Sequence, residues 1–203
     1  MTLNPTPGLV ISSASVSLDG YIAYEDNTPG ELFDWYDIGD VEVANAGDLP
    51  PFHLTQESAG YWLPWRESLG ALVVGRTLFD ITDGWKGTHP LGVPVVVLTH
   101  EPPTDWAYPG SENFHFVTEG IEAAIDRAHA LADGKVVGIA AGMIATQALA
   151  SGLLDQVNMD LVPVVLGSGH PYFTGAEHRS LLGDPTACIP ARRVTHLSFP
   201  VRG

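Results

Sequence analysis

Residues 71–77, Ala71-Leu72-Val73-Val74-Gly75-Arg76-Thr77, carry four apolar side chains directly into a glycine, a cation and a hydroxyl. A short, unbroken apolar run is what a strand covered on both faces requires, and such strands belong to parallel sheets. Glycine lets the chain turn tightly, and the N–H groups at a helix start attract anions. Gly75-Arg76-Thr77 therefore reads as a strand-to-helix junction suited to a phosphate. Taken alone, a glycine after a strand is ordinary turn chemistry.

The pattern recurs downstream. A short helix is expected within residues 77–83, and residues 93–98 form a second buried run tipped by Thr99 and His100. Ligands of open α/β sheets sit at such strand ends, although a capped loop is the plain reading. Phe114 to Val117 is another strand candidate. Thr118 is expected to cap a helix carrying Ile121, Ala124, Ile125, Ala128 and Leu131 on one stripe, ended by Gly134. Residues 135–140 then read as a strand and 143–150 as a helix closed by Gly152. Between them, Gly138-Ile139-Ala140-Ala141-Gly142-Met143 is a third junction, built of small residues that admit close approach of a ligand to the backbone.

Upstream, Leu9-Val10-Ile11 leads into the small-residue strand Ser12-Ser13-Ala14-Ser15-Val16, which stops at the turn pair Asp19-Gly20. Residues 25–60 are the least regular part, rich in proline, glycine and acid, and read as a surface excursion around one short helix at residues 32–36. Toward the C-terminus, residues 154–166 and 192–201 alternate apolar and polar, the period of strands that could pair antiparallel. The sum is an α/β fold with a central, mainly parallel sheet flanked by helices and antiparallel C-terminal strands. A single domain is expected over 1–203, with no repeat and no low-complexity tract.

Composition narrows the function. The chain has 203 residues, 45 % hydrophobic, with 9 Lys plus Arg against 24 Asp plus Glu, a formal net charge of −15. That apolar fraction supports a packed core, and that charge repels a phosphate backbone, so no nucleic acid partner is expected. Cys188 is the one cysteine, which leaves no intramolecular disulfide and no cysteine-based zinc cage. The start of the chain lacks a basic and apolar leader pattern, and no apolar stretch nears the ~20 residues a bilayer needs. A cytoplasmic protein without membrane contact is expected.

The histidines, His53, His89, His100, His115, His129, His170, His178 and His196, show no metal-binding spacing, so no metal is expected. There is no G-x-G-x-x-G. Gly167-Ser168-Gly169 follows Leu166, which breaks the G-x-S-x-G pattern of serine hydrolases. For acid–base work the candidates are Asp19, in a turn pair that is more often structural, and Asp34, between Phe33 and Trp35, where an apolar wall would raise a carboxyl pKa. Trp62, Trp65, Trp85 and Trp106 are core or cleft residues.

Several of these segments fall in an order found in one family. They are Ser17-Leu18-Asp19-Gly20-Tyr21-Ile22-Ala23, Phe33-Asp34-Trp35, Val74-Gly75-Arg76-Thr77-Leu78-Phe79, Gly84-Trp85, Val96-Val97-Leu98-Thr99, Gln147-Ala148-Leu149-Ala150-Ser151-Gly152-Leu153-Leu154-Asp155 and Leu161-Val162-Pro163-Val164-Val165-Leu166-Gly167-Ser168-Gly169. The chain resembles the C-terminal reductase domain of the riboflavin-biosynthesis deaminase-reductase, in the dihydrofolate-reductase-like superfamily, as a stand-alone member. The resemblance runs from about Leu9 to Phe199 and is poorest at 37–60. The deaminase half needs H-x-E and P-C-x-x-C for zinc, which one cysteine cannot supply.

The resemblance implies NADPH as cofactor and hydride transfer to a pteridine-like or pyrimidine-like heterocycle. By position it puts Gly75, Arg76 and Thr77 at the pyrophosphate, Leu98, Thr99 and His100 at the adenosine 2′-phosphate end, and Ala140, Ala141, Gly142, Met143 and Ile144 under the dinucleotide. Ser15 and Ile22 would flank the nicotinamide, and Asp19 would lie on the loop that covers it. Phe33, Asp34 and Trp35 would face the substrate, with Asp34 anchoring the ring and Asp19 or water assisting protonation. Two departures stand out. Ala140-Ala141 replaces the family's usual Gly-Gly, and His100 stands where an arginine is common. The expected function is an NAD(P)H-dependent reductase acting on a C=N or C=O bond, as a homodimer. The alternatives are a non-catalytic nucleotide- or ligand-binding dimer on the same fold, or a flavin or deazaflavin binder.

Overall fold

The computed structural model describes residues 8–176 and 179–201, so the N-terminal leader reading and His178 lie outside the described residues. In chain order, β1 is Val10–Ser17, β2 Tyr21–Ala23, β3 Val41–Val43, β4 Phe52–Leu54, α1 Gln56–Ser68, β5 Leu69–Gly75, α2 Arg76–Ile81, β6 Val95–Leu98, β7 Phe114–Val117, α3 Ile121–Ala132, β8 Val136–Ile139, α4 Met143–Ala150, β9 Gln156–Val162, β10 His170–Pro171, β11 Ala187–Ala191 and β12 Val194–Pro200. A 3-10 turn covers Gly30–Tyr36.

Eight strands form one sheet in the order β11-β12-β9-β1-β8-β5-β6-β7. From β9 to β7 every neighbouring pair is parallel, and β12 runs antiparallel to both β9 and β11. The expected C-terminal pairing is present, with Thr195 opposite Leu161 and Phe199 opposite Val157. The run at residues 71–75 is β5, buried between β6 and β8 as its unbroken apolar pattern requires.

One face of the sheet is aliphatic. Ile121, Ala124, Ile125, Ala128 and Ala132 of α3 pack with Ala145 and Ala148 of α4 against Val10, Ala71, Val73, Val96 and Val137. The opposite face is aromatic. There Trp35, Tyr61 and Trp62 are buried with Leu32 and Leu54, under the 3-10 turn and α1.

The structure corrects the reading of 25–60. That segment holds the hairpin β3–β4 and the first turn of α1, a 13-residue helix the sequence concealed. Gly60 and Pro64 both discourage a helical assignment. Thr55 nevertheless starts it, its hydroxyl accepting the Ser58 N–H at 3.2 Å. The expected cap of α3 also moves, because Gly120 holds the N-cap position in place of Thr118. Burying Tyr61 and Trp62 offsets the weak local preference for helix in α1.

Candidate functional site

A cleft of about 1340 Å³ opens at the carboxyl ends of the parallel strands, where open α/β sheets bind ligands. Single-ligand pockets are usually ~300–1,000 Å³, so this one has room for more than one small molecule. It has two differently built halves.

The outer half is made by three junctions. The chain leaves β5 through Gly75, Arg76 and Thr77 into α2, approaches α3 through Thr118 and Gly120, and leaves β8 through Ala140, Ala141 and Gly142 into α4. At each helix start the first N–H groups lack helical partners, and the dipole favours negative charge. Two glycines keep this wall open. Gly142 has φ +80°, with nothing closer than 3.9 Å to where a Cβ would stand, and Gly120 has φ +102°, with nothing within 4 Å. Ala140 and Ala141, which replace the expected glycine pair, have no positive φ, so their methyl groups narrow the wall without straining the backbone.

Arg76 is the one Lys or Arg among the described residues lining the cleft. Its Nε donates to Asp80 at 2.7 Å, and its guanidinium also bonds the Glu101 carbonyl and, at 3.5 Å, the Thr99 hydroxyl. The cation is thus held in place at the end of β6. The Thr99 hydroxyl is engaged as well, donating to the Glu101 carbonyl at 3.0 Å. His100 is exposed at the same edge.

The inner half lies against the aromatic face of the sheet. Ser13, Ser15, Leu72 and Gly138 form its floor, and Phe33, Tyr36, Trp65, His89 and Leu91 line it from the 3-10 turn, α1 and the loop before β6. Trp35 Nε1 donates to Ser15 Oγ at 2.9 Å and fixes that hydroxyl from behind. Burial, aided by the nearby Asp160 carboxylate, pushes the Tyr36 phenol far above its ordinary range, against opposing hydrogen bonds from Ser15 and Trp62. Burial also pulls the His89 imidazole down to about 3, so it is neutral near pH 7.

All thirteen residues expected to hold the cofactor line this single cleft, as does Phe33. Three other expected site residues stand outside it. Asp19 is exposed and accepts from Ser17 Oγ at 2.6 Å, Gly167 N–H at 2.7 Å and Leu166 N–H at 3.1 Å. The Ser17 hydrogen bond foremost, with those two backbone donors, holds its carboxyl below 3.8. Asp19 therefore ties the β1–β2 turn to the segment before β10, outside the cleft where it was expected to assist protonation. Asp34 is also on the surface, 3.3 Å from Arg193, because the 3-10 turn rotates it away from its aromatic neighbours. Trp35 is fully buried and stacks on Tyr36 at 3.9 Å, so it supports the wall that Tyr36 and Phe33 present.

Sequence reasoning missed Ser13, Tyr36, Trp65, Leu72, His89 and Leu91. Trp65 is a cleft candidate in the sequence, and Ser13 and Leu72 lie in strands it singles out, but Tyr36, His89 and Leu91 come from separate segments and carry no local motif. A second array behind the inner half was equally hidden. His196 Nδ1 lies 2.6 Å from Asp160 Oδ1, and its Nε2 lies 2.9 Å from Ser58 Oγ. The geometry resembles a hydrolytic triad, but all three residues are buried and none lines the cleft. The array instead joins α1 to β9 and β12, with Tyr61 stacked on the imidazole at 4.6 Å.

Among solved structures, one named for riboflavin biosynthesis, from Shewanella sp. PV-4, is 20 % identical with a TM-score of 0.72, covering 96 % of this chain and 99 % of that one. A diaminohydroxyphosphoribosylaminopyrimidine deaminase/5-amino-6-(5-phosphoribosylamino)uracil reductase from Thermotoga maritima is 12 % identical with a TM-score of 0.61. This chain is covered over 97 % of its length and spans 57 % of the Thermotoga protein's. Dihydrofolate reductase from Enterococcus faecalis, complexed with NADP(H) and RAB-propyl, is 15 % identical with a TM-score of 0.56, covering 98 % of this chain and 99 % of that one. At these identities the likeness is one of fold. No curated protein matches the chain significantly. The family description RibD C-terminal domain matches residues 9–188, most of the sequence, and the chain belongs to that family.

Proposed function

We propose that this protein is a reductase that binds NADPH in the outer half of the cleft and a small planar heterocycle in the inner half. The observation that carries this reading is the convergence of three helix starts and Arg76 on one wall of a cleft whose other wall is largely apolar, within a chain of net charge −15. The residues fit a dinucleotide. Gly120 and Gly142 leave room for phosphates beside the first N–H groups of α3 and α4, and Ile22, Leu98 and Ile144 supply apolar contact.

The bound cofactor would supply a hydride to a C=N or C=O bond. The protein's part is to hold the acceptor ring against Ser13, Ser15 and Tyr36 and to exclude water with Phe33 and Trp65. Neither Asp19 nor Asp34 lines the cleft; the carboxylates that do are Asp26 and Glu101. Protic groups lining the inner half are the Ser13, Ser15 and Tyr36 hydroxyls and the His89 imidazole.

The test is titration with NADPH and, separately, NADH, following cofactor fluorescence, with Arg76→Ala as control. Saturable NADPH binding weakened in the variant supports the reading. Absence of binding up to ~1 mM, an affinity of only about −4 kcal/mol, overturns it and favours the non-catalytic binder.

A further inference from the structure

We propose that His89 is a specificity-determining residue of the inner half, a fixed neutral donor whose Nε2–H takes a ring carbonyl of an uncharged substrate that carries no phosphate. The inference rests on the reductase reading for the identity of the site and adds the class of substrate.

Two features prepare His89. First, its Nδ1 accepts the Leu91 backbone N–H at 3.1 Å, so in the neutral ring the proton must sit on Nε2. Burial keeps the imidazole neutral, and so the tautomer does not change across the physiological range. Second, the preceding chain is unusual. Asp83, Gly84, Trp85, Lys86 and Gly87 all have positive φ, between +47° and +90°, a left-handed turn that costs non-glycine residues ~1–2 kcal/mol each. Such strain persists only where its surroundings impose it. Here a Cβ on Gly84 would lie 2.5 Å from the Trp106 ring, and one on Gly87 would lie 2.4 Å from the Pro109 carbonyl oxygen. The turn sets the Trp85 ring edge-on to His89, with ring centroids 4.3 Å apart, which fixes the imidazole plane.

Among the described residues His89 Nε2 has no hydrogen-bond partner, and it is not one of the occluded unpartnered atoms. The indole Nε1 of Trp65, a residue that lines the same cleft, is one of those, occluded and without an acceptor among the described residues. An accessible donor without a protein acceptor among the described residues calls for a carbonyl oxygen on the ligand. Among the described residues, those lining the inner half include no lysine or arginine, and Arg76 belongs to the outer half. A phosphate on the substrate would therefore find no charge partner there.

The experiment measures calorimetric affinities for lumazine, a neutral dicarbonyl pteridine, and for the matched pair uridine and uridine 5′-monophosphate. Proteins are the wild type, His89→Phe and His89→Gln, and NADPH affinity is measured in parallel. The expected result is lumazine binding that falls at least tenfold in His89→Phe, with NADPH affinity unchanged. His89→Gln, which keeps an N–H donor, stays within a few-fold of wild type, and the monophosphate binds no tighter than uridine. Lumazine affinity that is nil in the wild type or indifferent to His89→Phe overturns the proposal, as does a monophosphate bound tenfold tighter than uridine. Failure of NADPH alone to bind, with the lumazine pattern intact, condemns the reductase reading and leaves the His89 assignment standing.

Discussion

The two halves of the cleft are made from different materials. In the outer half the groups proposed for recognition are backbone N–H groups at three helix starts, opened by glycines and reinforced by one cation that Asp80 and Glu101 hold in place. In the inner half they are side chains drawn from separate segments and locked from behind, Ser15 by Trp35 and α1 by the Ser58–His196–Asp160 array. A wall of backbone tolerates changes in side chains. A wall of side chains depends on the core that positions it.

The largest effect should come from that core. His196→Ala leaves Asp160 and Ser58 buried without their partner, and breaking such a buried array costs about 3–5 kcal/mol. Urea unfolding should show the midpoint falling with the slope unchanged, and lumazine affinity should suffer more than NADPH affinity. A loss under ~1 kcal/mol, or equal losses for both ligands, would break the comparison.

Acid should act through the inner half next. Burial lowers His89 from 6.5 to about 3, so between those values the unfolded chain binds a proton that the folded chain refuses. Stability from this group is complete above pH 6.5 and declines on acidification toward pH 3, by at most about 1.4 kcal/mol per pH unit. The stability–pH curve of His89→Gln should be flatter in that window; parallel curves would contradict the neutral imidazole.

The same contrast explains what could be read from the sequence. Gly75-Arg76-Thr77 and Ala140-Ala141-Gly142 sit beside unbroken apolar runs, and such local grammar announces a strand-to-helix junction before any tertiary contact is known. The parallel sheet and the outer wall follow from it, as does the alternation that gave β9 and β12. Trp65 and His89 become neighbours of the same cavity only after α1 folds onto the sheet, and α1 is masked by Gly60 and Pro64. Asp34 shows the opposite error. Its aromatic neighbours suggested an apolar wall, but the 3-10 turn sends Trp35 inward and Asp34 outward to Arg193.

Smaller effects belong to the outer half and its rim. Arg76→Ala removes a half-exposed ion pair with Asp80, so stability should change by less than ~1 kcal/mol. NADPH affinity should fall about tenfold, or about 1.4 kcal/mol. An unfolding penalty exceeding the binding penalty would show that Arg76 is chiefly a structural stitch. The smallest effect should be that of Asp19→Asn. The wild-type carboxyl is held below 3.8, so its contribution is complete above that pH and is lost as the pH falls through the lowered value. Thermal melts of wild type and variant should differ slightly at neutral pH and converge in strong acid.

The central claim is that the cleft holds two ligands side by side. Its most direct test is to titrate NADPH into the protein with and without saturating lumazine, following cofactor fluorescence. The account predicts that lumazine leaves NADPH affinity unchanged or raises it, because each occupies its own half. An apparent NADPH dissociation constant that climbs in proportion to lumazine concentration would mean competition for one undivided pocket, and would contradict it.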